Sequence, residues 1–331
     1  MTSPTAIATD SSFFAVQRRL AATLRDTGPV GAPRPLEVQS RGVQEAPSLR
    51  QADVIEDDRF RARAVGGSAP AHFNAFLDGS QHTLVVRWDG MVPIVFGTVA
   101  AVIRRRRERR LTTWNAPIVQ RALYAPLRLL TKEVARALAA AGVGVVDTMA
   151  RRDPESTHPF ALQEIAYQAV LSDRERIEQQ LTGLWCAAEP GVLFVDGGIS
   201  GNETVARAIN VVGVVKSHQT VHVGADDLGV LTALRPGERS SVLRIDAARR
   251  ASVASWYLRT SDAAGHDPLW GLVRVEVALE ADAKRSAITR HADDVSRWVL
   301  AERLPLSVPD PRWDRMAYGI RDAEEYLQAV R

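Results

Sequence analysis

Residues 191–198 read GVLFVDGG, with four apolar residues, Val192 to Val195, bounded by glycines and closing on Asp196. An uninterrupted apolar run of this length reads as a strand covered on both faces, which predicts the central strand of a sheet with helices packed on it. Downstream, NVVGVVKSH (210–218) reads as a second apolar strand after a short helical or loop segment. SSVLRIDA (240–247), ASWYLRTS (254–261) and LVRVEVAL (272–279) are three more strand candidates, and helices are expected at 282–303 and about 321–330. Upstream, Phe160 to Ala187 carries Leu162, Ile165, Val170, Ile177, Leu181 and Leu184 at helical spacing, and Ala116 to Ala141 carries Leu123, Leu127 and Leu130. Both stretches read as helix. From His72 the pattern is of strands: HFNAFLDGS, TLVVRW, a turn at Asp89-Gly90, then MVPIVFGTVAAVI, two or three of which pair as an antiparallel meander.

The order predicts an α/β fold with a mixed sheet flanked by helices, and a helical insertion over about 112–188 as the crossover to the central strand. Residues 1–70 read as an arm around one helix, Phe13 to Leu24, with prolines at 29, 33, 35 and 47; residues 71–331 form the main domain.

Composition sets the outer bounds. The 331 residues, 24% charged and 46% hydrophobic, suit one large domain or two modest ones and exclude disorder over most of the length. One cysteine, Cys186, excludes an internal disulfide, reads as core, and leaves no Cys/His spacing of the zinc kind. The start of the chain lacks a signal pattern and no apolar window is long enough to span a bilayer, so a soluble cytoplasmic protein is expected. Net charge is +3, and lysine occurs only at 132, 216 and 284. Arginine dominance suits a polyanion partner, and a GC-rich genome produces the same bias.

Two strands end alike, FLDGS (76–80) and LFVDGG (193–198). An aspartate closing a buried strand loses hydration, which costs several kcal/mol unless a cation or donors compensate. If the strands are neighbours, Asp78 and Asp196 share a sheet edge and suit a hard divalent ion, Mg²⁺ or Mn²⁺; Asp-Gly also simply begins a turn. In DRERIEQQL (173–181), Glu178 lies beside the inward stripe, where it is either a third ligand or a solvated helix residue. Lys216 ends an apolar strand, placed either to neutralise a phosphate or to reach solvent. The run RRRRERR offers Arg104, Arg105, Arg106, Arg107, Arg109 and Arg110 to nucleic-acid phosphates, or is a solvated loop or helix end; Arg121, Arg128 and Arg136 extend the same possibility. No pattern for reading bases is present.

The order FLDGS, RIEQQL, LFVDGG, VVGVVKS and AYGIRDAEEYL, across about residues 72–330, resembles the NurA nucleases. The resemblance implies an RNase H-like (Piwi-like) core, a homodimer, dependence on Mn²⁺ or Mg²⁺, and DNA-end processing with the hexameric translocase HerA, in repair or in defence against foreign DNA. It makes Asp78, Glu178 and Asp196 metal ligands and Lys216 the active-site lysine. The family's C-terminal histidine has no counterpart in MAYGIRDAEEYL, so Asp322 takes the fourth place, with His291, ahead of a helix start, as its competitor and His218 as a further possibility. The exposed arm and the helical insertion are the expected docking elements for the translocase. Two alternatives stay open: a catalytically impaired RNase H-like DNA-binding subunit of the same complex, and an α/β enzyme whose DGGISGNET loop (196–204) cradles a small phosphorylated substrate.

Overall fold

The computed structural model describes residues 12–24, 36–37, 47–108, 110–150, 157–246, 250–280, 283–303 and 317–330. Helix α1 (Phe13–Thr23) is followed by four short strands, β1 (Leu36–Glu37), β2 (Ser48–Leu49), β3 (Asp53–Val54) and β4 (Ala62–Ala64). Three long strands follow, β5 (Ala75–Asp89), β6 (Val92–Arg107) and β7 (Arg110–Ala125), then α2 (Lys132–Ala139), β8 (Gly144–Asp147) and the long helix α3 (Pro159–Ala188). The second half holds β9 (Leu193–Asp196), α4 (Glu203–Ala206), β10 (Val211–Val215), β11 (Thr220–Val221) and α5 (Leu228–Thr232). It closes with β12 (Glu238–Ser240), β13 (Leu243–Ile245), β14 (Val253–Arg259), β15 (Leu272–Ala278), α6 (Arg285–Glu302) and α7 (Tyr318–Val330).

One large mixed sheet runs β3-β13-β14-β15-β10-β9-β5-β6-β7-β8. β5, β6 and β7 form an antiparallel meander, whereas β9 lies parallel to β5 and β10 parallel to β9. The apolar run at 193–195 is therefore central and covered on both faces. Leu193 and Val195 pack under α3 with Leu77, Ile177 and Leu181, while Phe194 faces Val295, Val299 and Ile320 of α6 and α7. α1 and α2 cover the far end of the meander over Ile94, Phe96 and Leu123.

Three sequence expectations need correction. FLDGS and TLVVRW belong to one unbroken strand, because the polar link Gly79 to His82 pairs residue for residue with Ala101 to Thr98. Residues 110–125 are strand rather than the start of the helical insertion; Val95 to Ala101 pair with Tyr124 to Ile118, and among the described residues of that insertion α-helix is confined to Lys132–Ala139 and Pro159–Ala188, with a 3-10 turn at Leu127–Leu129. Pairing with β6, from Arg110 to Tyr124, claims this segment as strand, and the leucine spacing is fortuitous. Leu184, read as part of the buried stripe, is 44% exposed. Cys186 packs partly buried against the α3 core, as its apolar surroundings suggested.

The N-terminal segment joins the sheet. β1 pairs with β5, β3 with β13 and β4 with β12. Buried Glu56 accepts from both terminal nitrogens of buried Arg239 at 2.8 Å, and Arg239 also bonds Asp293 on α6. Among the described residues no helix is long and apolar enough to cross a membrane.

Candidate active site

The register of β5 and β9 fixes the centre of the site. Ala75, Phe76 and Leu77 pair with Leu193, Phe194 and Val195, so the next residue on each strand is Asp78 and Asp196. Side chains alternate along a strand, and both aspartates take the face of Phe76 and Phe194, where α6 and α7 pack. Asp78 is 7% exposed. Desolvation pushes its carboxyl well above the usual range, and neighbouring Asp196, Glu178 and Glu324 push the same way against the opposing pull of Lys216.

Lys216, one strand further on β10, donates from Nζ to Asp196 Oδ2 at 2.8 Å, with both side chains 16% exposed. The lysine is thus a partner of the carboxylates. Glu178 comes from α3, bonded to Arg174 one turn earlier at 3.0 Å. Its carboxylate fills the space that a side chain on Gly79 would need, which explains the glycine after Asp78: it admits a carboxylate of the same chain. Burial pushes Glu178 up to about 7, with Arg174 opposing and Asp196 and Glu175 adding to the rise.

The turn after Asp196 is clamped. Gly197 has φ +133°, and a side chain on Gly213 of β10 would lie 2.7 Å from the Gly197 carbonyl oxygen. Ile199 N–H donates to Glu276 Oε2 of β15 at 2.7 Å, and Arg274 bonds the other oxygen of this buried glutamate. Glu276 gave no sequence signal, because its role depends on β15 lying beside β10.

On α7 two carboxylates stand in different surroundings. Asp322 on α7 is bonded by Arg104, whereas Glu324, two residues later, is the α7 carboxylate that acts on Asp78. Both flank Ala323, which packs on Ala100 and Val102, so apolar periodicity alone does not choose between them. His291 stands exposed within α6 rather than before its start, and His218 Nε2 is 2.8 Å from the Leu272 carbonyl oxygen.

The arginine run is mostly engaged within the molecule. Arg104 pairs with Asp322, Arg105 with Glu189 at 2.8 Å and Arg106 with Glu302 at 2.6 Å. Arg107 and Arg110 face each other, exposed, at the tip of the β6–β7 hairpin, and Arg109 lies outside the described residues. The register sends that tip away from the carboxylates, since Asp78 pairs with Val102 and the strand runs about 16 Å further to Arg107.

The carboxylates around Asp78 are all oxygen donors, the kind that hard divalent ions take, and buried Asp78 stands among like charges. No group of three or more His, Cys, Asp or Glu among the described residues is gathered closely enough to hold a metal as it stands. Asp196 and Glu178 each rest on a cation of the chain instead. The chain matches no protein-family model, and no curated protein is significantly similar to it.

Proposed function

We propose that this protein is a divalent-metal-dependent deoxyribonuclease with an RNase H-like core, which processes DNA ends as a homodimer fed by a HerA-type hexameric ATPase. The observation that carries this reading is the placement of Asp78 and Asp196 side by side on adjacent parallel strands, with the charges of Glu178 and Glu324 acting on Asp78 from helices on the two faces of the sheet. The strand order β7-β6-β5-β9-β10, a meander followed by two strands parallel to its first, supports the RNase H-like assignment.

Asp78, Glu178, Asp196 and Glu324 would hold Mn²⁺ or Mg²⁺. Such ions supply an activated water and stabilise the leaving oxygen of a phosphodiester. Lys216 Nζ donates to Asp196 and would neutralise a phosphate oxygen brought to the same strand end. The Glu276 clamp holds the Asp196 turn in one conformation. Exposed Arg107 and Arg110 are left to contact phosphates of a longer substrate or a partner surface. Without base-reading elements, the chain acts on ends rather than on chosen sequences.

The test is Mn²⁺-dependent release of nucleotides from linear DNA by the full chain, with and without the translocase. Asp78→Ala and Asp196→Ala should reduce it to background while circular dichroism and gel filtration stay unchanged; undiminished cleavage in both variants rejects the site. One observation favours a second reading, a catalytically impaired DNA-binding subunit: Lys216 and Arg174 already engage two of the four carboxylates. That reading expects DNA binding with no metal-dependent cleavage in the wild type.

A further inference from the structure

On the face of the meander that carries Asp78, two helical covers leave an interval. α7 packs Ala323 and Leu327 on Ala100 and Val102, with Val119 beside them. α1 and α2 pack Val16, Leu20, Val134 and Leu138 around Phe96 and Leu123. The residues between these groups on the same face are Ser80 and His82 of β5, Thr98 of β6 and Arg121 of β7. His82, Thr98 and Arg121 form one cross-strand row, His82 paired with Thr98 and Thr98 with Arg121. Apart from Ser80, the neighbours of the row on this face are apolar: Ala100 and Val119 on one side, Leu84, Phe96 and Leu123 on the other.

Thr98 is only 6% exposed, and the buried Ser80 hydroxyl oxygen has no hydrogen-bond partner among the described residues. Arg121 forms no ion pair among them either. A buried hydroxyl without a partner costs about 1–3 kcal/mol, and Arg121 in this row keeps a guanidinium without a carboxylate partner among the described residues. Ser80 lies between Asp78 and the row, and His82 is about 13 Å along β5 from Asp78. The row supplies a fixed positive charge further along the same sheet face as Asp78.

We propose that Ser80, His82, Thr98 and Arg121 form a subsite for the phosphodiester backbone of one nucleic-acid strand, holding the segment that runs on from the carboxylates. Arg121 contacts a phosphate through its planar fork, and the Thr98 hydroxyl beside it in the row donates to a backbone oxygen. The subsite rests on the nuclease reading for its direction, and it is tested by binding alone.

The experiment is anisotropy of a labelled single-stranded oligonucleotide with the full chain in EDTA, across a salt series. Losing one phosphate contact lowers the slope of log affinity against log salt by about 0.7 for a single strand. Arg121→Gln should show that drop with several-fold weaker binding, and Arg121→Lys, which keeps charge without the fork, should fall between it and wild type. Thr98→Val, nearly isosteric, should weaken binding without changing the slope. Arg285→Gln, on exposed α6, is the control. Slopes and affinities equal to the control in Arg121→Gln and Thr98→Val overturn the subsite, as does absence of binding by the wild type. Arg121-sensitive binding with no Mn²⁺-dependent cleavage supports the subsite and rejects the nuclease reading.

Discussion

Gly79 and Glu178 occupy one space from two elements, so their substitutions should not be independent. A methyl group on Gly79 overlaps the Glu178 carboxylate, and overpacking of this kind costs about 1–3 kcal/mol. Gly79→Ala should lower the urea midpoint, and Glu178→Ala in the same chain should recover much of the loss; additive effects would show that the carboxylate moves aside freely. Glu178 also carries a pH signature. Its carboxyl is raised from 4.5 to about 7, so in that window the folded chain holds a proton that the unfolded chain has released. Stability in EDTA should therefore fall as pH rises from about 4.5 to about 7. Glu178→Gln should flatten the fall, and a wild-type midpoint that climbs across the window would contradict the burial argument. On α7, Glu324→Gln should reduce metal-dependent turnover by about a hundredfold while leaving the melting temperature nearly unchanged, as expected for a ligand. Asp322→Asn should cost about 1 kcal/mol through the Arg104 contact instead. Asp78, Asp196 and Lys216 were legible because each ends an apolar run. The choice between Asp322 and Glu324 was not, since it depends on how α7 rolls on the sheet.

Strand alternation explains why a run of arginines is architectural at one end and exposed at the other. Arg104 and Arg106 point to the face of α6 and α7, and Arg105 points to the α3 face, so consecutive residues reach three different helices. Each finds a carboxylate: Asp322 near the start of α7, Glu189 just after α3, and Glu302 at the end of α6. The sequence displays the charge and conceals its partners, which lie 84 to 218 residues away. Of the three, the Arg106–Glu302 pair is the most buried on its acidic side, at 3% exposure. Arg106→Gln leaves that carboxylate without its fork and should cost about 3 kcal/mol in urea unfolding. DNA affinity, measured on the fraction that remains folded, should hardly change. A variant that kept full stability but lost DNA binding would return Arg106 to the phosphate-binding role its sequence suggested. The β7 misreading has a similar origin: Leu123, Leu127 and Leu130 fit a helical repeat, but pairing with β6 claims Arg110–Ala125 and leaves helix only beyond Thr131.

At the scale of the whole molecule, the central apolar strand, the meander and the closing helices followed from periodicity, because each element shows its own buried face. The boundary drawn at residue 70 did not follow from anything so local. β3 and β4 are only two and three residues long, too short to register as pattern, yet they extend the far side of the sheet through β13 and β12. Between them Glu56, 4% exposed, meets Arg239, which is fully buried, across a separation of 183 residues. Glu56 also accepts the Val242 N–H at 2.9 Å. A chain beginning at residue 71 would leave two guanidinium nitrogens of Arg239 without their carboxylate and the Val242 amide without its acceptor. Breaking a buried pair by removing one partner costs about 3–5 kcal/mol, a large part of the roughly 5–15 kcal/mol that holds a typical domain folded. Residues 71–331 should therefore be isolated unfolded or with a much lower midpoint. Arg239→Met in that shortened chain should recover part of the loss, because it removes a buried charge left with Asp293 alone while retaining packing volume; in the full chain the same substitution should destabilise, since it leaves buried Glu56 with Arg63 alone. That reversal of sign separates a buried ion pair from simple loss of strands. A shortened chain melting at the full-length midpoint would mean that residues 53–64 are an addition to the fold rather than part of it.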